Sequence, residues 1–70
     1  MDPVSIGAKI RALRGAESQQ ELADKLKISK SALAMYVRGE RIPRDEVKIR
    51  IAQHFNMSLE AIFFAPDEHK

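Results

Sequence analysis

The apolar side chains of this chain recur at steps of three and four, and each stripe is cut off by a residue that helices use to start or stop. Ile6, Ile10 and Leu13 form the first stripe and Leu22, Ala23 and Leu26 the second. Leu33, Tyr36 and Val37 form the third, Val47, Ile51, Ala52 and Phe55 the fourth, and Leu59, Ile62 and Phe63 the last. Spacing of this kind places each set on one face of an α-helix. The punctuation agrees with it. Pro3 stands where a first-turn proline is tolerated, and Gly15 is a stop. Ser18 followed by Glu21 reads as a capping box, and Ser29 and Ser58 are further N-caps. Gly39 and Asn56 supply left-handed endings, and Pro43 precedes or opens a helix. The spacing therefore predicts five short helices and no strand, at about 4–14, 18–27, 29–38, 44–55 and a last turn after Ser58.

Seventy residues allow one domain with one small core, taken as residues 1–66 with a short flexible tail at 67–70. The chain has no cysteine, so disulfides, thiol catalysis and Cys-based zinc sites are excluded, and helix packing or a partner subunit must hold the fold. No apolar run approaches the ~18 residues of a membrane span, and Met-Asp-Pro-Val lacks the basic start of a signal peptide. The expectation is a cytoplasmic protein with no membrane partner. Glycine-rich phosphate loops, nucleophile elbows and metal-ligand spacings are missing, which argues against an enzyme and against any cofactor. His54 and His69 have no ligand-like neighbours in the sequence, so neither is assigned metal or acid–base duty.

The net charge of +2, from twelve basic and ten acidic side chains, is too small to point to a partner. Its distribution says more. Residues 28–44 carry Lys30, Arg38, Arg41 and Arg44 against Glu40, whereas residues 57–70 carry Lys70 against Glu60, Asp67 and Glu68. A basic excess beside helix N-termini suits phosphate binding, although a solvated loop would carry the same charges.

Residues 18–38 make a capped helix, a tight turn and a second capped helix. Small Ala23 permits close approach of the two axes, and Ile28 plugs the turn between Leu22 and Leu33, which describes a helix-turn-helix unit. On the second helix Leu33, Tyr36 and Val37 point inward, leaving Lys30, Ser31, Ala34, Met35 and Arg38 outward, a face slender enough for a major groove about 12 Å wide.

Gln19, Leu22-Ala23, Ile28, Ser29 and Arg38-Gly39, in that order, resemble the phage-repressor-like regulators of the Xre/Cro/CI type. The resemblance continues through Pro43, Ala52, Phe55 and Ser58-Leu59-Glu60-Ala61-Ile62, and back into residues 6–14, so that it covers roughly residues 5–63. It implies an all-α, five-helix, lambda-repressor-like fold and sequence-specific binding to double-stranded DNA. Carried over by position, it implies base reading by Lys30, Ser31, Ala34 and Met35, and phosphate contacts by Gln19, Ser29, Arg38 and Arg44. Arg41 joins the phosphate set for its place in the same loop. Lys30 can donate to guanine O6 or N7, Ser31 can pair with several bases, and Ala34 or Met35 can meet a thymine methyl. The arginines would position without specifying.

Three positions depart from the family pattern. The connection Arg14-Gly15-Ala16-Glu17-Ser18 is about two residues short. Val37 replaces the usual glutamate, which leaves Arg14 without its partner and turns it toward solvent or phosphate. Lys27 stands where glycine is usual, at a cost of ~1 kcal/mol if that residue is left-handed. One recognition helix reads too few base pairs for a genome, so a homodimer on a pseudo-palindrome with half-sites about 34 Å apart is expected, acting as a repressor without an evident small-molecule ligand. Its interface is placed at Ile62-Phe63-Phe64-Ala65-Pro66, with Ile49 added because it lies off its helix's stripe. The competing reading is a protein-interaction module on the same fold, such as an antitoxin or anti-repressor.

Overall fold

The computed structural model describes residues 2–64. Four α-helices follow one another, α1 Pro3–Arg14, α2 Gln19–Leu26, α3 Lys30–Val37 and α4 Asp45–Phe55, and a single π-helical turn, Glu60–Phe64, follows them. No strand occurs among the described residues. The expected last turn is thus present, but wound as a π-helix rather than an α-helix. Ala65, Pro66, His69 and the expected tail lie outside the described residues.

The starts of the helices follow the side-chain chemistry. Ser18 Oγ accepts from the Glu21 amide at 3.0 Å while Glu21 Oε1 accepts from the Ser18 amide at 3.0 Å, which completes the capping box. Ser29 Oγ accepts from Ala32 N at 3.0 Å and Ser58 Oγ from Ala61 N at 3.1 Å. One cap is additional to those read from the sequence. Asp2 Oδ1 accepts from Val4 N at 3.2 Å and Oδ2 from the Ser5 hydroxyl at 2.8 Å, so α1 begins at Pro3. These bonds hold the Asp2 carboxyl below its ordinary value, and a negative charge there suits the helix dipole.

Three of the helices end in the same way. After α2, α3 and α4 the chain turns through a left-handed residue, Lys27 at φ 60°, Gly39 at φ 78° and Asn56 at φ 57°. Each turn carries the paired backbone bonds of a Schellman motif: Ile28 N to Ala23 O at 3.1 Å, Glu40 N to Met35 O at 2.9 Å and Met57 N to Ala52 O at 2.9 Å, with the shorter-range partner bond beside each. Lys27 therefore does occupy the left-handed conformation, and its side chain bears a strain of about 1 kcal/mol there.

The buried core is Ile6 and Ile10 of α1, Leu22, Ala23 and Leu26 of α2, Leu33, Tyr36 and Val37 of α3, Val47, Ile51 and Ala52 of α4, and Ile62 and Phe63 of the π turn. Ile28 packs against it in the helix-turn-helix corner. Burial of Ile62 (2% exposed) and Phe63 (5% exposed) corrects the expected subunit surface. Both side chains close the monomer's own core, so of the four described residues assigned to that surface only Phe64 and Ile49 stay exposed, at 55% and 45%.

α1 and the end of α3 approach each other closely at two glycines. A Cβ at Gly7 would collide with the backbone carbonyl oxygens of Tyr36 and Val37, and a Cβ at Gly39 would sit 2.9 Å from Val4 Cα. Two cations tie elements together through carbonyls: Lys9 Nζ donates to Ala61 O at 3.1 Å, and Arg50 Nη1 donates to Leu26 O at 3.3 Å. Glu17, in the short connection, receives Lys25 at 2.7 Å and His54 at 3.5 Å, linking that connection to α2 and α4. Arg14, expected to turn toward solvent or phosphate, is partly exposed. Its Nε is buried with no hydrogen-bond partner among the described residues, and Val37, where the family pattern has a glutamate, carries no side-chain acceptor.

Helix propensity alone makes Gly7→Ala stabilising by about 1 kcal/mol. The carbonyl clash reverses the sign: thermal unfolding of this variant should show a net loss of about 1–3 kcal/mol. The Lys25 hydrogen bond, followed by that of His54, lowers the Glu17 carboxyl below its ordinary 4.5. A carboxyl lowered by folding contributes stability that is complete above 4.5 and is lost as the pH falls below it. Urea titrations across that range should accordingly give Glu17→Gln a flatter acid limb than the parent.

Candidate nucleic-acid interface

α3 is eight residues long and commits one face to the core. At about 100° per residue, the direction opposite Leu33, Tyr36 and Val37 is shared by Ser31, Met35 and Arg38, with Lys30 and Ala34 on one flank. Lys30, Ser31 and Arg38 are exposed. Ala34 and Met35, expected on the outward face, are partly exposed. Ala34 lies about 60° around the helix from buried Val37. Met35 sits in the last turn, where the chain folds back to bond its carbonyl. The exposed positions of this face are therefore Arg38 at the C-terminal end and, at the N-terminal end, Lys30 and Ser31.

Around that end the expected phosphate ligands fall into two groups. Ser29 is exposed and its hydroxyl oxygen caps α3, leaving the hydroxyl proton available to an acceptor. Gln19, half-buried, opens α2. Arg41 and Arg44 are exposed and border an open cleft of about 330 Å³, whose other walls include Ser29, Ala32 and Tyr36 on one side and Val47 and Arg50 on the other. Arg44 occupies the N-cap of α4 and makes no side-chain cap bond, so the first amides of that helix keep their capacity for an anion. Arg50 also lines the cleft, which the sequence reading missed, but its guanidinium is shared with Glu46, another wall of the cleft, at 3.7 Å. Its pattern position marked only a helix interior, and nothing local showed that it reaches across to Leu26 and the cleft.

Arg38 stands apart. Its Nε and Nη2 donate to Glu40 at 2.9 and 3.1 Å, a two-pronged pair that the sequence reading did not foresee. Each partner favours the other's charged form, so Arg38 is raised and Glu40 lowered from their ordinary values. Its guanidinium is therefore not the free cation that the charge count implied.

Away from this face, Lys48 Nζ lies 5.7 Å from the ring centre of exposed Phe64, and Ile49 is exposed one residue further along α4. Among the described residues no group of three His, Asp or Glu side chains is placed to hold a metal ion, and no helix is long and apolar enough to cross a membrane.

A short helix docked across a capped partner helix, its open N-terminal end flanked by cations, is the arrangement of a helix-turn-helix DNA-binding regulator. A helix-turn-helix family model matches residues 10–62, and the chain belongs to that family, of the Xre type. Members are DNA-binding transcription regulators. Among solved structures the chain is similar to the restriction-modification controller protein C.AhdI from Aeromonas hydrophila, with 25% identity, a TM-score of 0.78, and coverage of 87% of this chain and 96% of that one. It shares its fold with the clp gene regulator ClgR from Corynebacterium glutamicum, at 21% identity and a TM-score of 0.76, covering 86% of this chain and 66% of that one. No curated protein sequence matches significantly.

Proposed function

We propose that the chain binds double-stranded DNA sequence-specifically as a twofold homodimer, with α3 in the major groove of each half-site of a pseudo-palindromic operator. The observation that carries this reading is the pairing, at one end of α3, of exposed Lys30 and Ser31 with the arginine-bordered cleft. Lys30 and Ser31 read base edges, with Met35 and Ala34 in apolar contact at the margin. Gln19, Ser29, Arg41 and Arg44 hold phosphates and so fix the depth and angle of α3. The regulatory role described for C.AhdI agrees with this assignment. A dimer seated on a promoter excludes polymerase by bulk alone, which makes repression in the cytoplasm the simplest outcome. Residues 1–66 act together as the DNA-binding unit. Phe64 and Ile49, both exposed and apolar, form the contact between subunits.

Selection from a random duplex pool followed by titrations at several salt concentrations tests the reading. Arg44→Ala should weaken all duplexes about equally and lower the salt slope by roughly one, whereas Lys30→Ala should change which sequence is preferred. Absence of binding to any duplex at low salt would overturn the assignment in favour of a protein partner. For the subunit contact, Phe64→Asp should reduce self-association in sedimentation velocity and leave the melting transition intact. A parent protein that is monomeric even on DNA would exclude this interface.

A further inference from the structure

The Arg38–Glu40 pair lies at the far end of α3 from Lys30, on the same side of the helix as Ser31. Both side chains are more than half exposed, at 56% and 52%, and an exposed ion pair of this kind adds little to folding. Its backbone setting is nonetheless closely defined. Gly39 takes the left-handed conformation, and the Glu40 amide bonds back to Met35 O at 2.9 Å, so the carboxylate springs from a fixed point beside the helix end. The carboxylate takes the side-on edge of the guanidinium, Nε and Nη2. The end-on edge, with one hydrogen each on Nη1 and Nη2, remains free as a second parallel fork.

We propose that Glu40 is a positioning residue for DNA recognition: it holds the Arg38 guanidinium in one orientation so that the end-on fork meets a two-oxygen or oxygen–nitrogen acceptor on the duplex. This rests on the DNA-binding reading above and adds a role to a residue that the charge pattern counted as unfavourable. The acceptor has the chemistry of guanine O6 with N7 or of two phosphodiester oxygens. A flexible arginine loses much of its freedom when it docks, and a carboxylate that has already fixed the side chain removes part of that loss before DNA arrives.

Plain electrostatics and positioning predict opposite signs, which makes Glu40→Gln decisive. Removing a negative charge near a polyanion should tighten binding to every duplex. Positioning requires instead that Glu40→Gln weaken binding to the selected duplex, by about tenfold, the scale of one good bidentate contact. In an Arg38→Ala background the same change should tighten binding, since only repulsion is then removed. A loss confined to duplexes with guanine at one position identifies the base edge as acceptor, and an equal loss on all duplexes identifies phosphate; both support the proposal. Tighter binding by Glu40→Gln in both backgrounds overturns it while leaving the DNA-binding reading intact. Failure of the parent protein to bind any duplex overturns both.

Discussion

The backbone contact between α1 and α3 is the constraint on which the recognition face depends. An eight-residue helix is too short to hold its shape in water by propensity, so α3 owes its form and its direction to what it packs against. Gly7 lets α1 settle directly on the carbonyls of Tyr36 and Val37, and Gly39 lets Val4 approach the turn that follows. With α2 packed on another side, the core-facing residues of α3 are fully committed. What remains of its surface then points one way.

The short helices are themselves a consequence of strict termination. Each of α2, α3 and α4 ends in a left-handed residue and a Schellman bond pair, and each of α2 and α3 starts at a serine cap. Such endings spend few residues on connections, and the connections that do occur carry polar groups to the surface. The loop after α3 brings Arg41 and Arg44 beside Ser29 and to the uncapped start of α4. A net charge of +2 thus coexists with an edge where Arg41, Arg44 and Arg50 outnumber its one carboxylate, Glu46.

Local signals were the legible part of the sequence. The caps at Ser18, Ser29 and Ser58, the left-handed Asn56 and the inward stripe of α3 depend on near neighbours, and all are present in the structure. Contacts between distant segments were not legible. Nothing near Gly7 in sequence announces the carbonyls of Val37, and nothing near Arg50 announces Leu26. Phe63 and Phe64 are adjacent and chemically identical, yet the path of the π turn buries one and exposes the other. The Arg38–Glu40 pair lies between these extremes: its partners are two residues apart, but only the left-handed Gly39 brings them face to face.

Whether α3 and the start of α4 form the DNA-binding face can be read from amide chemical shifts of the labelled protein during titration with its selected duplex. The largest perturbations should fall on Ser29, Lys30 and Ser31 and on Arg41, Arg44 and Asp45 at the start of α4, with Ile49 little affected by DNA contact itself. Perturbations centred instead on the Lys25, Lys27 and His54 side of the molecule, with the α3 amides unmoved, would contradict that assignment.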